Sequence, residues 1–213
     1  MSKILISGYY GFANAGDEAM LTAIIESLRQ VEKNVELTVL SGNPEDTAAK
    51  HQVCSVYRFN PLGIIRAMKD SELIISGGGS LLQDVTSKRS LLYYLSIIGL
   101  GKFFGKKVML FAQGIGPIRA KWARKLTSLV CNEADLITVR DSESAAELIE
   151  MGVKPEKITV TADSVLSLNP VTKECGQYLL QEAGVDLTKP VIGISVRPWS
   201  GDSQCFQVLA EAA

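Results

Sequence analysis

Three times along this chain an apolar run of strand length breaks into a glycine-rich turn, and that recurrence restricts the fold more than any other feature. Ile4-Leu5-Ile6 leads into Gly8-Tyr9-Tyr10-Gly11-Phe12-Ala13-Asn14-Ala15-Gly16-Asp17-Glu18. Leu73-Ile74-Ile75-Ser76 leads into Gly77-Gly78-Gly79-Ser80-Leu81-Leu82-Gln83-Asp84, and Val108-Met109-Leu110-Phe111-Ala112 into Gln113-Gly114-Ile115-Gly116-Pro117. Unbroken apolar runs of this length read as strands buried in a sheet. After the first turn, Leu21, Ile24, Ile25 and Leu28 fall at i, i+3, i+4 and i+7, one face of a helix. Strands alternating with helices specify an α/β fold, a Rossmann-like parallel sheet flanked by helices. In such sheets ligands bind at the carboxyl ends of the strands, where these turns lie.

The rest of the chain fits the alternation. Residues 37–40, 53–57, 135–139 and 158–160 read as further strands, and 45–52 and 61–70 as helices, the latter opened by Pro61. From Asn169 the character changes. Residues 1–168 are expected to form an N-terminal Rossmann-like domain and 169–190 a connector. Residues 191–213 then open a second, truncated Rossmann-like domain with a strand at 191–196 and a helix start near the end. The other reading is one domain whose last strand joins the same sheet.

The turns carry the candidate chemistry. The first is neither a Walker A loop, since no Lys-Ser/Thr follows, nor GxGxxG, since its glycines fall at 8, 11 and 16. Asp17 and Glu18 at a helix start would repel a phosphate, so the loop suits hydroxyls such as a sugar's. The bland reading makes Asp17 an N-cap and Glu18 a first-turn charge. Gly77, Gly78 and Gly79 strip side chains from a strand end, and Ser80 adds a hydroxyl, so an anion or sugar oxygen fits there; a tight turn is the alternative. Arg140 stands where strand ends converge. It either clamps a carboxylate or phosphate or pairs with Asp141 or Asp163. Arg119, Lys121, Arg124 and Lys125 give the following helix a basic start, a hint of an anionic partner or else a solvated face.

Composition excludes more than it assigns. A net charge of −1 gives no general pull toward nucleic acid. Cys54, Cys131, Cys175 and Cys205 are scattered with no CxxC pair, which argues against a metal site or a disulfide framework and fits reduced, cytoplasmic thiols. Met1 runs almost at once into a strand, which fits no signal peptide. His51, the only histidine, lies in a polar helical stretch and reads as a surface residue. Residues 88–107 place an apolar run between basic ends. The run is too short to span a bilayer, so it is a buried helix or one lying on an anionic membrane face.

Taken in order, Gly8-Tyr9-Tyr10-Gly11 with Asn14 and Gly16-Asp17-Glu18-Ala19, then Gly77 to Asp84, Gln113 to Pro117, Arg140-Asp141, Thr161-Ala162-Asp163 and Ile194-Ser195-Val196-Arg197-Pro198-Trp199 form an ordered set. It closely resembles the polysaccharide pyruvyl transferases, in particular the CsaB type of bacterial cell-wall assembly, over residues 4 to about 200. The resemblance implies the N-terminal half of a two-domain GT-B-like enzyme. The implied reaction moves the pyruvyl group of phosphoenolpyruvate onto a sugar as a cyclic ketal. The acceptor is N-acetylmannosamine in a lipid-linked secondary cell wall precursor, made at the inner membrane face and later used to anchor S-layer proteins. It implies Asp17 and Arg140 as catalytic groups. Tyr10, Asn14, Gly16, Glu18, Gly77, Gly78, Gly79, Ser80, Gln83, Asp84, Gln113, Gly114 and Arg197 are the implied substrate-binding set, with Arg197 sharing the donor's charge with Arg140. No metal and no cofactor is expected beyond the phosphoenolpyruvate donor. A catalytic histidine is expected in the second half, so this stretch alone is expected to be inactive. Self-association into a homo-oligomer is left open. The competing readings are a GT-B glycosyltransferase using a nucleotide sugar and a non-catalytic membrane-surface scaffold working through 88–107.

Overall fold

A computed structural model describes residues 2–194, 207, 208, 210 and 211. The chain divides into two units, Met1–Leu168 and Asn169–Ala213. The first is built on a seven-stranded sheet of β1 (Lys3–Tyr10), β2 (Glu36–Ser41), β3 (Cys54–Tyr57), β4 (Leu73–Gly77), β5 (Lys107–Gln113), β6 (Leu136–Val139) and β7 (Ile158–Val160). All neighbours are parallel, in the order β3-β2-β1-β4-β5-β6-β7. The expected Rossmann-like fold is therefore present. The chain winds outward from β1 in one direction and from β4 in the other, so the gap between β1 and β4 is the switch point of the sheet.

The helices that cross between strands are α1 (Ala15–Val31), α2 (Pro44–His51), α3 (Pro61–Asp70), α4 (Lys88–Phe103), α5 (Lys121–Glu133) and α6 (Ser142–Glu150). They divide the core in two. Ile4, Ile6, Tyr10, Val39 and Ile75 pack with Leu21, Ile24 and Ile25 of α1. Leu5, Leu40, Ile74, Val108 and Leu110 pack with Met68 of α3, Leu91 and Leu95 of α4 and Leu148 of α6. Successive residues of β1 point to opposite faces and both faces are covered, which is why its sequence is apolar without alternation. Each such fully buried Leu or Ile contributes roughly 1.5–3 kcal/mol.

Two boundaries differ from expectation. Gly8, Tyr9 and Tyr10 belong to β1, and the open loop starts at Gly11. The strand continues because Tyr10 pairs with Ser41 after a register shift, and Gly42 N donates to Tyr10 O at 2.9 Å. Helix α1 begins at Ala15, six residues before Leu21, the first residue of its apolar face, because Asn14 caps it by accepting from Gly16 N and Asp17 N.

Helix α4 buries most of the apolar run of 88–107. Leu91, Tyr94, Leu95, Ile97 and Ile98 enter the core, while Leu92, Leu100 and Phe103 stay exposed. No helix among the described residues is long and apolar enough to cross a membrane. In the second unit α7 (Lys173–Glu182) is capped by Thr172. The strand expected at 191–196 is absent over its described part. Residues 191–194 are in no strand, and Val191, Ile192 and Ile194 are 49%, 85% and 55% exposed. An apolar run becomes a strand only when a neighbour takes its N–H and C=O groups, and no described strand does so here. Residues 195 and 196 lie outside the described residues.

Candidate active site

Parallel order brings the carboxyl ends of β1, β4, β5 and β6 to one rim, and hydrogen bonds join the turns there. Tyr10 OH donates to Gly77 O at 2.9 Å, Gly114 N to Gly79 O at 3.0 Å and Gly116 N to Leu82 O at 2.8 Å. Arg140 N donates to Gln113 O at 3.2 Å and its Nη2 to Ser80 Oγ at 3.3 Å. Positive φ angles cluster on the same rim, at Gly11, Ala13, Gly78, Gly79 and Ala112. For the two alanines this is a strained conformation, of the kind that accumulates where a backbone is held for function.

Asp17 is the titratable centre of the rim. It sits in the first turn of α1 and, since Asn14 supplies the cap, it is not spent on capping. A Cβ on Gly79 would stand 3.2 Å from Asp17 Oδ1, so the carboxylate looks onto bare backbone of the second turn. No hydrogen bond among the described residues reaches that carboxylate. Burial first, and the charge of Glu18 second, push its pKa up to about 6. A carboxylate near pKa 6 is ionised at neutral pH yet basic enough to take a proton from a hydroxyl.

Arg140 joins three elements. Its Nε lies 3.2 Å from Asp141 Oδ2 and its Nη1 3.4 Å from Asp163 Oδ2, while Nη2 reaches Ser80. Both ion pairs weighed from sequence are therefore present at once. Asp141 also caps α6 through Ser144 N, and Ser144 chiefly, then Arg140, hold its pKa below the usual carboxylate range. Gly114 is needed here because a Cβ would come within 2.7 Å of Arg140 Cζ. The guanidinium lies flat over that glycine.

Several expected ligand-binding side chains do other work. Tyr10 is 1% exposed, its ring fills the space left by Gly8, and its hydroxyl is committed to Gly77 O. Gln113 is fully buried, its Nε2 donating to Ser76 Oγ at 2.8 Å. Asp84 spends both carboxylate oxygens on Arg119 N and Ala120 N, each at 2.9 Å, and these bonds hold its pKa down. It is thus the anion at the basic start of α5, and Arg124 of that helix pairs with Glu147 and Glu150. Gln83 accepts from Thr86 N and shapes its own turn. Asn14 and Gly16 form the α1 cap. Glu18 Oε1 accepts from Gly11 N at 2.8 Å, and Oε2 lies 3.3 Å from His51 Nε2. His51, expected on the surface, is only 9% exposed because Glu18 draws it against the loop. These two line a cleft of 720 Å³ between α1 and α2, which Asp17 and the other turns do not line. Arg197 lies outside the described residues.

The sequence reading passed over Arg58. It follows β3 on the same rim and is 5% exposed, with its guanidinium carbon 4.3 Å from the centre of the Tyr93 ring. The available signal was an arginine between two aromatics, Tyr57-Arg58-Phe59, just past a strand.

Solved structures share this architecture at low identity. Anabaena Alr3699/HepE, crystallised with UDP and glucose, has a TM-score of 0.62 at 15% identity over 99% of this chain and 58% of that one. A glycosyltransferase from Rickettsia africae gives 0.54 at 12%, over 89% and 51%. UDP-GlcNAc 2-epimerase from Neisseria meningitidis, bound to UDP-GlcNAc, gives 0.52 at 12%, over 85% and 50%. At these identities the likeness is one of fold, to GT-B glycosyltransferases and epimerases, and the chain spans about half the length of each. No curated protein matches it in sequence. The family model for polysaccharide pyruvyl transferase matches residues 14–197, from the α1 cap into the second unit, and the chain belongs to that family.

Proposed function

We propose that the whole protein transfers the pyruvyl group of phosphoenolpyruvate to two hydroxyls of a saccharide, with this chain forming the acceptor-side wall of the site. The observation that carries the reading is Asp17, poised near pKa 6 and facing the bare turn at Gly79, in a chain of the pyruvyl transferase family. In the reaction the methylene carbon of the donor takes up a proton, which makes C2 electrophilic. One hydroxyl adds to C2 as Asp17 accepts its proton. The bond between C2 and the bridging oxygen breaks, and that oxygen leaves with the phosphoryl group as phosphate. The second hydroxyl adds to the same carbon and closes the ketal. Of the two hydroxyl protons, one balances the proton gained by the methylene and the other departs with phosphate. The Ser80 hydroxyl, which accepts from Arg140 Nη2 at 3.3 Å and can itself donate, suits a developing negative charge.

The finer assignment is to the CsaB type. It takes N-acetylmannosamine of a lipid-linked secondary cell wall precursor as acceptor, at the cytoplasmic face of the membrane, and feeds S-layer anchoring. The exposed Leu92, Leu100 and Phe103 beside Lys102 and Lys106 are the surface suited to that approach. The test is phosphate release from phosphoenolpyruvate by full-length protein with a panel of lipid-linked disaccharides. Release is expected only with acceptor present and is expected to vanish in Arg140→Ala. Unchanged turnover in that variant removes Arg140 from the site. A second reading, transfer from a nucleotide sugar, is favoured by the fold neighbours crystallised with UDP or UDP-sugar. It requires protection by a UDP-sugar and indifference to phosphoenolpyruvate.

A further inference from the structure

Six side-chain polar atoms among the described residues are buried without a hydrogen-bond partner, and four of them lie together. They are Ser7 Oγ on β1, Gln113 Oε1 on β5, Tyr93 Oη on α4 and Arg58 Nε after β3. The chain of neighbours is continuous. Gln113 Nε2 donates to Ser76 Oγ, Ser76 pairs across the strands with Ser7, and the Tyr93 hydroxyl faces both Ser7 and Arg58. Arg58 Nη1 donates to Tyr94 OH at 3.4 Å. Ser7 and Ser76 flank the β1–β4 gap, so the cluster lies beneath the switch point of the sheet. Buried polar atoms are nearly always satisfied in folded proteins, so four without a well-formed partner at one place, three of them loosely linked through the Tyr93 hydroxyl, mark a polar cluster with hydrogen-bonding capacity to spare.

The charge balance says what that capacity suits. Arg58 is buried and forms no ion pair among the described residues. It is boxed by the rings of Phe12, Phe59, Tyr93 and Tyr94, at 5.3, 5.1, 4.3 and 5.5 Å from its guanidinium carbon. Ring faces offset part of the cost of stripping water from the cation, but they take none of its in-plane N–H donors. The site offers these donors with two hydroxyls, the set that recognises a carboxylate or phosphate. Phe12 and Phe59 are 42% and 62% exposed, so the cation lies beneath one layer of solvent-facing rings. Tyr9 stacks on Phe12 at 4.3 Å, which extends a flat apolar face from the cation toward the rim. Burial raises the pKa of Tyr94 and the charge of Asp17 adds to this, so the cluster is within electrostatic reach of the proposed base.

We propose that Arg58, with Ser7 and the Tyr93 hydroxyl, forms an oxyanion subsite that binds the phosphate or carboxylate of a substrate entering past Phe59 and the Tyr9–Phe12 stack. The subsite itself stands on the geometry. It rests on the transfer reading only for which substrate supplies the anion, the donor or a phosphorylated saccharide.

Titration calorimetry of the full-length protein tests it, with phosphoenolpyruvate, N-acetylglucosamine 1-phosphate and uncharged N-acetylglucosamine as probes. Arg58→Gln is expected to weaken at least one anionic probe by about ten- to hundredfold, with Arg58→Lys between and the uncharged sugar unaffected. A loss confined to phosphoenolpyruvate makes the subsite the donor's. A loss confined to the sugar phosphate makes it the acceptor's. Unchanged affinity for both in a folded variant overturns the proposal, as does failure of the wild type to bind either. If Arg58→Gln does not fold, Tyr93→Phe decides, because it removes one hydroxyl and keeps the ring. A loss of about three- to tenfold then supports the subsite and wild-type affinity overturns it. Phosphate release is read separately. Its absence in the wild type overturns pyruvyl transfer and leaves the subsite standing, whereas unchanged binding in the variants does the reverse.

Discussion

Arg140 and Arg58 stand on the same rim in opposite circumstances. Arg140 is about one-third exposed and held by two carboxylates and a serine. Arg58 is buried and has aromatic rings and one tyrosine hydroxyl for company. The first arrangement makes the cation part of the scaffold, since three turns lose their common partner without it. The second does little for folding, because a buried unpaired charge is a liability that apolar replacements often relieve. The difference teaches that the arginine most visible as a clamp in the sequence is largely neutralised by its own neighbours. The overlooked one meets no carboxylate among the described residues and leaves its Nε without a hydrogen-bond partner there.

That contrast can be broken or sharpened by substitution. The largest effect is expected for Gly114→Val, which drives a branched side chain into the Arg140 guanidinium. It should destabilise the chain by about 2–3 kcal/mol in urea unfolding and abolish turnover. Next, Arg140→Met and Arg58→Met should move stability in opposite senses. The first should lose about 1–2 kcal/mol, since Asp141 and Asp163 are left facing each other, and the second should be neutral or gain about 1 kcal/mol. Equal losses in the two would end the comparison.

Asp17→Asn tests the proton acceptor with a definite sign. The folded pKa, about 6, is raised above the ordinary aspartate value of 3.8, so ionisation disfavours the folded state and stability falls as pH rises between those values. The variant should therefore be more stable than wild type at pH 7, by about 1–2 kcal/mol after allowance for solvent screening, and no more stable below pH 4. It should also lose the limb of kcat/KM that rises through pH 6. Last, Asp84→Ala should cost about 1 kcal/mol by releasing Arg119 N and Ala120 N ahead of α5, while leaving KM for phosphoenolpyruvate unchanged. A raised KM would return Asp84 to the substrate.

The sheet was legible because its cause is local. Runs such as Leu73 to Ser76 are apolar since both faces are covered, and glycines follow because the turns there need positive φ at Gly78 and Gly79. The site was legible only in part. Motif position located Asp17, Ser80, Gly114 and Arg140, which do come together. The same reasoning named Tyr10, Gln113 and Asp84 as ligand-binding, and in the fold each bonds to protein, although Gln113 Oε1 has no partner among the described residues. His51 was misread because its partner Glu18 lies 33 residues away in another element.

The order of apolar runs, glycine turns and amphipathic helices determined by itself that this chain forms a parallel α/β sheet with glycine turns along its carboxyl rim. Those signals depend on each residue's own conformational freedom and hydrophobicity. Which rim side chains remain free was decided only by tertiary structure. Hydrogen bonds and charges are satisfied by whatever lies within about 3 Å, and the sequence does not state those distances. Arg140 met Asp163 from the loop after β7, and Arg58 met Tyr93 from α4 and no carboxylate among the described residues.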